Sequence, residues 1–243
     1  MRTEVNIQRF RRGAGRFLHW VACRWFTPIE DRLHSSYEID KRTLKRYLPN
    51  NPIIVEAGAH IGTDTMEMGA IWPRARIHAF EPVPDIFRQL SRRTTHASEI
   101  TRYPFAIGKG RSWETIRVSS GASDASSSLL KPKQHMEEHP DVTFEREITV
   151  PTISLDQWSE TYGIQQVNML WLDLQGYELE ALKGAETVLQ SVAVVYSEVH
   201  LKEVYEGAPH YRDVSKWLAS RGFGVVREFL PFPDSGNVLF VRM

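Results

Sequence analysis

From Asn51 to the C-terminus, short apolar runs alternate with segments of helical periodicity. Residues 52–57 read as a buried strand followed by a glycine-containing turn, and residues 63–71 as a helix ended near Pro73. A second strand over 76–81 is closed by Pro82 and Pro84. A helix over 85–93 follows, with Ile86, Phe87 and Leu90 on one face, and then a third strand over 100–107. The middle of the chain changes period. Residues 113–118 and 144–153 alternate like antiparallel strands and bracket a polar loop, 119–128, that holds six serines. The strand–helix rhythm then returns: a strand over 167–173, a helix over 178–189 and a near-continuous apolar strand over 192–199. A helix over 211–220 stops before Gly222, and two strands joined by a short turn, 224–229 and 237–241, end the chain as an antiparallel pair. Strands alternating with helices predict an α/β protein with a mostly parallel, doubly wound sheet, an antiparallel C-terminal strand and a β-hairpin-like insertion.

The first fifty residues have another character. Residues 2–25 carry six arginines against one acid, Glu4, and the apolar residues Phe10, Phe17, Leu18, Val21, Trp25 and Phe26 recur near helical spacing. This predicts a basic, helical extension over 1–50 ahead of a domain over 51–243. It would either cover the domain or make peripheral contact with an anionic membrane surface. Arg16 and His19 interrupt the apolar run that a secretory signal needs, which points to a cytoplasmic protein.

Composition narrows the class without naming a chemistry. The chain has 243 residues, 42% of them hydrophobic and 25% charged, as in an ordinary globular domain. Thirty basic and thirty acidic side chains leave a formal net charge of +0, which speaks against a general nucleic-acid-binding coat. One cysteine, Cys23, excludes an intramolecular disulfide and a cysteine-rich zinc module. The oligomeric state is not encoded in any of these features.

The chemistry concentrates at strand ends. In Val55–Thr65 a strand ends in Glu56 and is followed by Gly58 and Gly62 before a helix begins. Glycines let the backbone pass close to a ligand, and the helix start offers free N–H groups. The spacing is not that of the dinucleotide fingerprint, and an acid here suits a cationic amino-acid moiety better than a pyrophosphate. The second strand ends in Glu81, 19 residues after Gly62, where a carboxylate can accept hydrogen bonds from both hydroxyls of a ribose. A generic glycine turn and a solvated glutamate are the plain alternatives.

These segments resemble the FkbM-type methyltransferases that use S-adenosylmethionine. The matching stretches are Val55–Thr65, Ala79–Leu90, the serine-rich Asp124–Leu130, Thr152–Trp158 and Met169–Glu186, with Glu198–His200 and Tyr205–Gly207 also fitting. The resemblance runs from about Asn51 to the C-terminus and departs at Glu56, where family members usually carry aspartate. It implies a Rossmann-like class I methyltransferase fold. It also implies an S-adenosylmethionine site built from Glu56, Gly58, Ala59, His60, Gly62 and Glu81, with adenine near Ala106 and Ile107 and the serine loop, including Ser126, closing over it. The implied acceptor is a hydroxyl of a small molecule such as a sugar, glycolipid or polyketide-type metabolite.

Methyl transfer to a hydroxyl needs positioning and a base. Asp173 closes the strand over 167–173, while Glu198 and His200 lie on one face at the end of the next. His200 is the expected base, with Asp173 or Glu198 orienting it or binding the acceptor. The same residues with Glu178 could alternatively hold a divalent ion, Mg²⁺ by their oxygen content, although their dispersed spacing defines no metal motif. A noncatalytic nucleoside-binding module would keep Glu56, Gly58 and Glu81 but have no use for the polar cluster from Asp173 to His200.

Overall fold

The computed structural model describes residues 39–243, so the basic segment over 2–26 lies outside the described residues. A seven-stranded sheet forms the centre. Its parallel half contains β1 (Ile53–Ala57), β2 (Arg76–Phe80) and β3 (Ile100–Tyr103), joined through α1 (Thr63–Ile71) and α2 (Pro84–Arg93). After β4 (Ala106–Ile107) come β5 (Ser112–Gly121), α3 (His135–Glu138), β6 (Val142–Ile153) and α4 (Leu155–Tyr162). The chain then returns through β7 (Met169–Leu172), α5 (Glu178–Lys183), β8 (Val194–His200), α6 (Tyr211–Ala219), β9 (Phe223–Phe229) and β10 (Ser235–Arg242). The sheet order is β3-β2-β1-β7-β8-β10-β9, parallel except for β10, which pairs antiparallel with both β8 and β9. The order reverses between β1 and β7, where a crevice opens at the carboxyl ends of the strands.

Each face of the sheet carries its own apolar layer. Val55, Leu170, Val195 and Phe240 point to the side holding α4, α5 and α6, and Ile54, Met169, Val194 and Leu239 to the other. This alternation follows from the two-residue period of a strand covered on both faces. Ile39, Leu44 and Leu48, on and around a 3-10 helix over Lys41–Arg46, pack into the second layer, so residues 39–48 share the domain core. α2 has the proline of its first turn, an acid beside it at Asp85 and Arg92 and Arg93 in its last turn, all matched to the helix dipole.

Three expected elements differ. The strand anticipated over 100–107 is split at Pro104, which has no N–H for the ladder, and its second piece pairs with β6 instead. The anticipated hairpin is thus a three-stranded sheet in the order β4-β6-β5. The helix anticipated over 178–189 stops at Lys183 with Gly184 as its C-cap, and a 3-10 turn over Val188–Ser191 follows. α4 adds a helix that the apolar periodicity did not reveal, opened by a capping box between Ser154 and Gln157.

Candidate active site

The cleft begins where the backbone of β1 turns. Gly58 adopts φ +87, its N–H donates to the carbonyl of Phe80, and a Cβ on it would stand 1.9 Å from the carbonyl oxygen of Asp173. Only glycine can carry the chain through this gap between the ends of β2 and β7. His60 follows at φ +48 and Gly62 at φ +84, where the helix begins. The turn therefore lays its backbone over the switch point and presents the start of α1.

Glu81 is the carboxylate this turn is built around. One oxygen accepts from the N–H of His60 at 3.0 Å and the other from the N–H of Val83 at 2.8 Å. The side chain is 6% exposed and borders the cleft. Burial raises its pKa to about 7 against the pull of those two N–H groups. Each carboxylate oxygen has acceptor capacity left after one hydrogen bond, as a pair of ribose hydroxyls requires. Glu56 lies deeper. It is buried, receives a short hydrogen bond from Thr65 and is raised to about 8, chiefly by burial.

The walls change character across the cleft. Val83, Ile86, Ala106, Ile107, Ile116 and Leu129 line one end, and Gly58, Asp173 and Gln175 the other. Above them, His60 Nε2 lies 2.9 Å from Asp124 Oδ1, joining the glycine turn to the serine loop. Asp124, Ala125 and Ser127 of that loop also border the cleft.

Beneath the polar end lies a side-chain network. Gln175, at φ +51, donates from Nε2 to Asp173 Oδ1 and to Glu198 Oε2, each at 2.7 Å. Its Oε1 accepts from the Tyr205 hydroxyl at 2.8 Å, and the same hydroxyl reaches the carbonyl of Ser126 at 2.9 Å. Glu178 accepts from the N–H of Leu174 and of Gly176, which shapes the loop after β7. Crowding raises the pKa of Asp173, chiefly by desolvation, and that of Glu198 by desolvation and by the charges of Asp173 and Glu178.

The structure brings Gly58, His60, Glu81, Ala106, Ile107 and Asp173 to the cleft wall. Glu56, Ala59, Gly62, Ser126, Glu198 and His200 are not among the residues that line the cleft. His200 is 2% exposed, its Nε2 lies 3.9 Å from Glu198 Oε2, and burial lowers its pKa to about 4. Sequence reading did not select Gln175 and Tyr205. Gln175 sits inside the matched segment Met169–Glu186 and Tyr205 opens the matched Tyr205–Gly207, but neither residue type announces a role by itself.

A doubly wound sheet whose switch-point turn, ribose-spaced acid and apolar pocket converge on one cleft defines a nucleoside-cofactor enzyme of the class I methyltransferase type. Residues 56–225 match the methyltransferase FkbM domain, and the chain belongs to that family of S-adenosylmethionine-dependent methyltransferases. It is 27% identical to the 2-O-methyltransferase NoeI of Sinorhizobium fredii over 210 residues, 84% of this chain and 85% of that protein. It is 30% identical to the hexuronic acid methyltransferase AglP of Haloferax volcanii over 162 residues, 65% of this chain and 60% of that protein. Among solved structures, a fibrillarin in complex with Nop5p shares the fold with a TM-score of 0.51 at 15% identity, covering 92% of this chain and 84% of that one.

Proposed function

We propose that this enzyme methylates a hydroxyl of a sugar or sugar-bearing small molecule, with Asp173 as the group that meets the acceptor. The observation that carries the chemistry is that Asp173 opens to the cleft beside Gly58 while bonded through Gln175 to Glu198. The hydroxyl acceptor is supported by the likeness to a 2-O-methyltransferase and the sugar by the likeness to a hexuronic acid methyltransferase.

The cleft residues fit S-adenosylmethionine, which supplies an electrophilic methyl group when bound. Glu81 would take the ribose hydroxyls, Val83, Ile86, Ala106 and Ile107 would enclose the adenine, and Gly58 leaves room for the amino-acid portion. Glu56 contributes from below, holding Thr65 and thereby the start of α1. Asp173 accepts the hydroxyl proton, being the carboxylate that opens to the cleft. Glu198 and Gln175 hold it in place. His200, expected from the sequence as the base, does not border the cleft, and its Nε2 lies 3.9 Å from Glu198 Oε2, so the base role passes to Asp173.

Incubation of the purified protein with S-adenosylmethionine and a panel of glycans, followed by mass spectrometry, tests the reading. Gain of one methyl mass on a sugar ring is the expected outcome. Methylation confined to non-sugar hydroxyls would overturn the acceptor class, and cofactor binding with no transfer to any acceptor would favour the noncatalytic module.

A further inference from the structure

His200 raises a question that methyl transfer does not answer. It ends β8, is 2% exposed, and neither of its ring nitrogens has a protein hydrogen-bond partner. Folding leaves a buried imidazole without partners only at a cost, because its ring nitrogens lose the hydrogen bonds that water would give them. Yet polar atoms stand close by. One ligand-capable atom each of Glu178, Glu198 and His200 lies within 4.8 Å of the others. The two glutamates come from different elements, the start of α5 and the end of β8, and a third carboxylate, Asp173, adjoins Glu198. Among the described residues no lysine or arginine forms an ion pair with Glu178 or Glu198. Buried carboxylates are ordinarily paired, protonated or bound to a metal.

We propose that Glu178, Glu198 and His200 form a binding site for one divalent first-row transition ion, of which Mn²⁺ suits the donors best. The donor chemistry selects the class. Two carboxylates favour Mg²⁺ or Mn²⁺, but imidazole nitrogen favours transition ions. The mixed set therefore shifts the choice away from the Mg²⁺ that oxygen content alone suggested. Binding would satisfy the lone nitrogen of His200 and offset the charge of both glutamates. Asp173, across Glu198 from the ion, would remain free for the acceptor. None of the three residues lines the cleft, so the role of the site is to position Glu198 and, through Gln175, Asp173.

The test uses the full chain, freed of metal by chelator and then titrated with Mn²⁺ while the signal of free Mn²⁺ is followed by electron paramagnetic resonance. One ion sequestered per chain is expected. His200→Ala and Glu198→Gln, each checked for native circular dichroism, should each weaken binding at least tenfold, and a large excess of Mg²⁺ should not displace the ion. Absence of sequestration by the wild-type protein overturns the proposal whatever the variants do. Sequestration unchanged in a folded His200→Ala protein, or equal displacement by Mg²⁺, also overturns it. Methyltransferase activity is not the readout, so failure here leaves the proposed reaction standing.

Discussion

Glu81 and Glu198 are both enclosed glutamates at strand ends on the rim of one sheet, and they are held in opposite ways. Each oxygen of Glu81 has a backbone N–H, from His60 and from Val83, supplied by turns that the chain makes immediately after β1 and β2. Glu198 is held by the amide of one side chain, Gln175, and faces Asp173, Glu178 and His200. The first arrangement is rigid and preformed, since backbone donors cannot rotate away. The second is a cluster of neighbouring carboxylates in which burial and the charges of Asp173 and Glu178 raise Glu198. On the proposed reading, the cofactor is met by a carboxylate fixed by backbone and the acceptor by one held by side chains.

The largest effect should come from the side-chain end. Asp173→Asn keeps the shape and removes the proton acceptor, so kcat should fall about 10²–10⁴-fold while S-adenosylhomocysteine affinity changes little. His200→Ala should cost less, since its ring does not border the cleft. Steady-state kinetics on both variants decides this, and a larger loss for His200→Ala would reinstate the imidazole as base.

Next in size is the backbone end. Gly58→Ala must place a Cβ 1.9 Å from the Asp173 carbonyl at φ +87. Chemical denaturation should show a loss of about 2–4 kcal/mol, by overpacking and strain together. Stability equal to wild type would mean that the turn is not closed as described.

Lys41 probes how the cofactor end is braced from outside the matched family segment. Its buried ammonium lies 2.8 Å from Asp64 and 2.6 Å from Glu67 on α1, and 4.8 Å from the centroid of the Trp171 ring. Both acids are partly exposed, which discounts the pairing. Lys41→Met should therefore cost only about 1–2 kcal/mol by the same denaturation assay, and Lys41→Arg less.

The smallest effect is on pH. Glu56, raised to about 8, and Glu81 and Glu178, raised to about 7, bind protons in the folded protein that the unfolded chain has already released. The stability they contribute is fully present below the ordinary glutamate pKa and is lost as pH rises through 7 and 8. His78, His135 and His200, lowered to about 4, act oppositely on the acid side. Their contribution is present above the ordinary histidine range and is lost as pH falls towards 4. Between about pH 6.5 and 8.5 the ligand-free melting temperature should fall by a few degrees, and Glu56→Gln should flatten that slope.

The same contrast explains what could be read in the residues. Gly58, Gly62 and Glu81 are legible because backbone geometry imposes glycine and spacing, and the mostly parallel sheet follows from the alternation of strands and helices, whereas its strand order does not. Gln175 and Tyr205 are not, because their partners Asp173, Glu198 and Ser126 come from distant parts of the chain. Strand alternation puts His200 with Glu198 on one face of β8, but no strand pattern tells whether that face meets the cleft. The break at Pro104 was legible in principle, since proline cannot continue a ladder. So was the Ser154–Gln157 capping box ahead of Trp158.

Calorimetric titration with S-adenosylhomocysteine of the wild-type chain and of Glu81→Ala tests the central claim most directly, that a preformed backbone cradle around Glu81 binds this cofactor. One molecule should bind per wild-type chain, and the variant should bind about 10–100-fold more weakly, the loss of hydrogen bonds to a charged group. Equal affinity in the two proteins, or binding of NAD with none of S-adenosylhomocysteine, would contradict it.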